Sequence, residues 1–173
     1  ESPLKFGLLY TGTDDGNAYC SRDGGYTWQK ISQNLPQGLW VSHITASRFS
    51  EGRVYLTLNG YRNDHFLPYL FISEDYGASW KPAGPDLPFE PLNVVREDPT
   101  NENILYVGSD GGVYVSLNRG ESFMAWTTGL PKAVPVHDIA IQERENELVL
   151  GTHGRSLYIA KLGPVQQLLS DPE

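Results

Sequence analysis

A short motif occurs three times along the chain, and that repeat limits the possible folds more than any other feature. Ser21-Arg22-Asp23-Gly24-Gly25-Tyr26-Thr27-Trp28 returns as Ser73-Glu74-Asp75-Tyr76-Gly77-Ala78-Ser79-Trp80. It returns again as Ser116-Leu117-Asn118-Arg119-Gly120-Glu121-Ser122-Phe123. The shared pattern is Ser-x-Asp/Asn-x-Gly-x-Ser/Thr-aromatic, with successive serines 52 and 43 residues apart. Self-similarity at such a period marks a chain that uses one supersecondary unit repeatedly.

The flanks repeat as well. An apolar, aromatic segment precedes each box, at Ala18-Tyr19-Cys20, Leu70-Phe71-Ile72 and Val113-Tyr114-Val115; Leu157-Tyr158-Ile159 is a fourth copy without a box. One strand earlier lie Leu9 to Gly12, Val54 to Thr57, Leu105 to Gly108 and Leu148 to Gly151. Earlier still come Val41 to Ala46, Leu92 to Arg96 and Val136 to Ile141. Trp28 to Ile31, Trp80 to Ala83 and Phe123 to Thr127 read as last strands, each followed by a Leu-Pro. The 18 Gly, 12 Pro and 10 Tyr supply turns and strand formers in the proportions of an all-β chain.

Four short strands per repeat of this length predict a partial β-propeller of about four blades, with strands distributed 3+4+4+3. The expected division is an incomplete blade over 1–36, complete blades over 37–88 and 89–131, and an incomplete blade over 132–163. Residues 164–173 follow as a C-terminal tail. Uncovered edges in such an arc call for the rest of a larger propeller chain, or a second copy, as partner.

The three boxes resemble the Asp-box, or BNR, repeat of sialidases, xyloglucanases and sortilin-type receptors. Leu9 to Gly16, Val94 to Pro99 and Leu150 to Arg155 are similar, more narrowly, to the C-terminal part of large secreted bacterial BNR proteins with sortilin-like propellers. Those proteins are often labelled glycosyl hydrolases. The resemblance implies a secreted or cell-envelope location. Physically the box is a turn device. Asp23, Asp75 and Asn118 accept hydrogen bonds from the turn, and Ser21, Thr27, Ser73, Ser79, Ser116 and Ser122 belong to the same pattern. Gly25, Gly77 and Gly120 provide positive φ, and Trp28, Trp80 and Phe123 are expected to fall back onto the blade core. A structural role is expected for all fifteen positions.

In an up-and-down blade the turns joining strands 1–2 and 3–4 share one face of the ring. The 2–3 turns share the opposite face with the connections between blades. The boxes are 3–4 turns, so the candidate ligand face is opposite them. It carries Thr13 to Gly16, a long loop over Asn59 to Phe66, Ser109 to Gly112 and Thr152 to Arg155. Asp-Gly pairs suit tight hairpin turns. The longer second loop has no hairpin rationale and is the best functional candidate. Tyr61, Arg62, Asp64, His65, His153, Arg155 and Trp40 are the expected ligand-binding residues, with Phe89 and Glu90 on a neighbouring connection.

The formal net charge of −8 disfavours nucleic acid, and no apolar run is long enough for a membrane span. One cysteine allows no internal disulfide, and no metal or cofactor motif occurs. The expected function is non-catalytic binding of a protein, peptide or glycan on the 2–3 face. The alternative is a fragment of a sialidase- or xyloglucanase-like glycoside hydrolase using acidic residues there, with Asp14, Asp64 and Asp110 the weak catalytic candidates.

Overall fold

The computed structural model describes residues 1–131 and 133–169. The blade boundary read at 132 and tail residues 170–173 lie outside the described residues. β1 (Leu9–Gly12), β2 (Ala18–Ser21) and β3 (Gln29–Lys30) form a three-stranded sheet. β4 (Trp40–Ala46), β5 (Val54–Gly60), β6 (His65–Ser73) and β7 (Lys81–Ala83) form a four-stranded one. β8 (Leu92–Glu97), β9 (Leu105–Ser109), β10 (Val113–Ser116) and β11 (Met124–Ala125) form another, and β12 (Val136–Gln142), β13 (Glu147–Thr152) and β14 (Leu157–Lys161) the last. Every pairing is antiparallel between neighbours in sequence. The chain is thus four all-β blades with the expected 3+4+4+3 distribution.

The apolar cores lie between blades rather than within them. One joins Leu8, Cys20 and Ile31 of the first blade to Val41, Leu56 and Leu58 of the second. The others join blades 2 and 3 around Leu87, Leu92 and Val107, and blades 3 and 4 around Tyr106, Val136 and Leu148. This explains why β5 and β9 are buried along their whole lengths. A strand with a sheet against each face has no solvent side and needs apolar residues at successive positions.

Two of the box aromatics, Trp80 and Phe123, differ from the sequence expectation: they pack on the preceding blade, not on their own. Trp80 donates its indole N–H to the Ile31 carbonyl at 2.7 Å and packs on the core shared by blades 1 and 2. Phe123 joins the core shared by blades 2 and 3. Trp28 has no described blade before it, and is 44% exposed with its indole turned to Gly25 of its own box. The last strands are shorter than read from sequence. They are sheet edges, where Pro82 in β7 is tolerated because its missing N–H faces no partner.

Each innermost strand carries a β-bulge at the same place, skipping Ser42, Asn93 and His137 in the pairing register. Ser42 Oγ donates to the Leu92 carbonyl at 2.7 Å and Asn93 Nδ2 to the Val136 carbonyl at 3.2 Å. The bulge therefore turns a polar side chain onto the next blade. Behind β14 a short helix, α1 (Gly163–Gln167), packs back on the body, where Gln166 Nε2 donates to Asp98 at 3.0 Å. Among the described residues no helix is long and apolar enough to cross a membrane.

Candidate functional site

On the box face the Ser, Asp or Asn, and Ser or Thr side chains of each box pair within their own turn. Ser73 Oγ accepts the Gly77 N–H at 2.8 Å and donates to Asp75 Oδ1 at 2.7 Å. Asp75 accepts the Ser79 N–H at 2.8 Å and its hydroxyl at 2.6 Å. Ser21, Asp23, Gly25 and Thr27 repeat the arrangement. In the third box Ser116 and Gly120 keep it too, and Asn118 donates its amide to Ser122 Oγ in place of accepting from it. The Thr27 and Ser79 hydroxyls hold the Asp23 and Asp75 carboxyls below their usual range. Gly77 and Gly120 both sit at φ of +87°, where a side chain would be strained.

On the opposite face the first turn is also self-contained. Asp15 accepts from the Thr13 hydroxyl and the Asn17 amide, which lower its pKa, while Asp14 stays exposed. The third turn is braced from the connection before it. The Glu90 carboxylate accepts from Ser109 Oγ at 2.6 Å and the Gly111 N–H at 3.0 Å. Asn93 ties the second and third turns together, accepting from Asn59 at 2.7 Å and donating to Asp110 at 2.9 Å. In the fourth turn His153 lies 5.2 Å from His137, ring to ring, and Arg155 is exposed.

The second turn differs from the long loop read over Asn59 to Phe66. β5 runs on to Gly60 and β6 begins at His65, so only Tyr61 to Asp64 connect them, as one 3-10 turn over Tyr61–Asn63 closed by Asp64 at φ of +53°. Asn59 makes this possible: its side-chain carbonyl accepts the Tyr61 N–H at 2.9 Å. Asn63 anchors the turn to the Gly38 carbonyl at 2.9 Å. The insertion is spent on a longer hairpin, which lifts a group of aromatic residues above the face. The Tyr61 and Phe66 rings are 6.1 Å apart, edge to face, and Phe66 is 6.5 Å from Phe89 of the next connection. The Arg62 guanidinium lies 5.4 Å from the Trp40 ring, and His65 Nε2 is 2.8 Å from the Tyr69 hydroxyl.

The expected ligand-binding residues therefore fall into two groups. Trp40, Tyr61, Arg62, Asp64 and His65 all belong to blade 2, while His153 and Arg155 belong to blade 4. Among the described residues no hydrogen bond joins any two of Asp14, Asp64 and Asp110. Phe66 and Phe89 extend the surface beside Tyr61, and Asn93 is buried between the second and third turns. In the sequence Asn93 stands as a polar residue inside the apolar run Leu92 to Val95, and the structure puts it in register with Ser42 and His137. A larger groove of about 1000 Å3 opens elsewhere, between β7 and the third box, lined by Ile72, Lys81, Asn118 and Glu121 among others. Two of its walls are box turns whose Ser, Asp and Asn groups are already paired, while Lys81, Glu121 and Arg119 also line it, the buried Nε of Arg119 having no hydrogen-bond partner among the described residues. Among the described residues no group of three or more His, Cys, Asp or Glu side chains is placed to hold a metal ion.

Comparison with known proteins agrees with this architecture. Residues 19–30, the first box, match the BNR/Asp-box repeat. No curated protein matches the chain. Among solved structures it is similar to the GH74 xyloglucanase from Xanthomonas campestris, with a TM-score of 0.73 at 18% identity over 96% of this chain and 29% of that one. An ancestral GH74 enzyme gives a TM-score of 0.74 at 16% identity, over 92% of this chain and 22% of that one. YCF48 bound to D1 peptide gives 0.63 at 19% identity, over 91% and 48%. The chain spans less than a third of the GH74 enzymes and about half of YCF48, and at these identities the likeness is one of fold. Three box turns, blade-to-blade cores and these similarities together show a β-propeller fold whose first box matches the BNR/Asp-box repeat.

Proposed function

We propose that this segment is a non-catalytic binding module that takes a peptide, protein or glycan on its 2–3 face. The observation that carries the reading is the aromatic row Tyr61–Phe66–Phe89, with Tyr61 62% and Phe89 67% exposed. Large apolar side chains side by side in solvent mark a place where something docks. Nothing in the turn geometry requires them, whereas Asp15, Glu90, Asn59 and Asp110 are engaged in holding the turns. The row suits stacking against sugar rings or apolar side chains, and Arg62 beside it suits a carboxylate.

The test is a screen of the chain on glycan and peptide arrays, followed by titration of the best ligand. Tyr61→Ala with Phe89→Ala should weaken binding at least about tenfold, the effect of losing one central contact, with the melting temperature unchanged. Unaltered affinity in that variant would remove the reading. The likeness to GH74 enzymes supports a second reading, a share of a glycoside hydrolase site. It predicts release of reducing ends from xyloglucan that falls in Asp64→Asn or Asp110→Asn.

A further inference from the structure

We propose that the open inner edge of the first blade holds an extended peptide strand, antiparallel to β1 and running into Glu1, with the sequence character of the other innermost strands. The argument begins at the turn before β1. Ser2 donates its N–H to the Leu8 carbonyl at 2.8 Å and Leu8 donates to Lys5 at 3.2 Å. The turns between innermost and second strands in blades 2 and 3 do the same, Ser47 to Arg53 and Arg53 to Ser50, then Asp98 to Ile104 and Ile104 to Asn101. The likeness extends to the box. Gly24, Tyr76 and Arg119 each donate their N–H back to this turn, at Gly7, Gly52 and Asn103. Blade 1 thus has the turn that elsewhere leaves an innermost strand, and Glu1 stands where Ala46 and Glu97 end theirs.

Register shows what the edge offers. Leu9, Val54 and Leu105 oppose Ser21, Ser73 and Ser116, so β1, β5 and β9 superimpose residue by residue. In an antiparallel ladder successive residues turn their N–H and C=O to opposite sides. With Thr13 donating to Asn17 on the β2 side, Tyr10 and Gly12 present theirs to the open edge. Their counterparts Tyr106 and Gly108 pair with Arg96 and Val94. Thr11 is exposed although its counterparts Leu56 and Val107 are fully buried.

The three innermost strands define the occupant. Opposite Thr13 belongs an apolar residue, as Val41, Leu92 and Val136 are in their blades. Next comes a bulged polar donor, as Ser42 and Asn93 are, aimed at the Val41 carbonyl, which corresponds to those of Leu92 and Val136. One variable residue opposite Gly12 separates it from a β-branched one opposite Thr11, the place of Ile44, Val95 and Ile139. This is strand addition, with main-chain bonds for affinity and alternate side chains for specificity.

The experiment fuses a copy of residues 91–96 directly ahead of Glu1 and follows amide hydrogen exchange. The Tyr10 and Gly12 amides should slow about tenfold or more, and the melting temperature should rise. A fusion with proline in place of the residue corresponding to Val94 should give neither effect, because its ring removes the donor that meets Gly12. Unchanged exchange at Tyr10 and Gly12 in the first fusion, or equal protection by the proline version, would overturn the proposal. Binding at the aromatic row is independent of both outcomes.

Discussion

The two faces of the ring spend their polar residues differently. On the box face the same residue positions bond in every turn, with one donor reversed at Asn118, and ionic ties run from blade to blade. Arg53, 5% exposed, meets Glu74 of its own blade at 2.8 Å and, in the next blade, Glu102 at 2.7 Å and Glu97 at 3.7 Å. On the 2–3 face the hydroxyls of Thr13, Ser109 and Thr152 close the first, third and fourth turns in the same way, but the second turn is closed differently, and aromatic and cationic groups remain in solvent. Groups that recur once per blade hold the fold, whereas singular ones are available to a ligand.

The strongest test of that contrast is Arg53. Arg53→Met should destabilise by about 3–5 kcal/mol, because it leaves the buried Glu97 carboxylate without its cation. Chemical denaturation measures this, and a loss below about 1 kcal/mol would mean the ionic ties contribute little.

Next is His43, on an innermost strand between the faces. Burial, and then the Arg96 charge, push its pKa down to about 4, with Asp138 acting weakly the other way. A histidine depressed in the folded state binds fewer protons there than in the unfolded chain, so stability falls as pH drops from about 6.5 to about 4. The loss should be on the order of 2–3 kcal/mol. His43→Gln should flatten melting temperature over that window, while changes on the 2–3 face should leave the slope intact.

Smaller again is Asp75→Ala, expected to lower stability by about 1–2 kcal/mol through lost turn bonds and to leave ligand binding unchanged. A variant that kept its melting temperature and lost binding would reverse the assignment of the two faces. The smallest effect comes from a matched pair. Tyr55 donates to Glu97 at 2.6 Å, whereas Tyr10, in the same register position, has a buried hydroxyl that abuts the Cys20 thiol without an acceptor in bonding geometry. Blade 2 has Ala46 where blade 3 has Glu97. Tyr55→Phe should therefore destabilise by about 1–2 kcal/mol and Tyr10→Phe by about zero. Thermal melts of the two variants side by side check the difference.

Much of this was legible in the residue order. The Ser-x-Asp-x-Gly-x-Ser/Thr-aromatic turns, the four sheets and the 3+4+4+3 strand distribution all follow from local patterns, because a turn bond such as Ser79 to Asp75 spans four residues and a hairpin only a few more. The extent of the second turn was misread for a local reason too. Asn59-Gly60 is itself an Asn-Gly pair, the signal of a tight two-residue hairpin, yet β5 runs through both residues, and the capping of Tyr61 by Asn59 becomes visible only once the strands are seen to continue. The rest depended on contacts between blades. Trp80 to Ile31, Ser42 to Leu92 and Arg53 to Glu102 join residues 49, 50 and 49 positions apart. That separation is close to one repeat, so each such contact joins a residue to the neighbouring copy of its own unit. The sequence by itself determined that unit and its turns. Which side of each blade meets the next, and which aromatic residues are left in solvent, was decided by the twist and stacking of whole sheets.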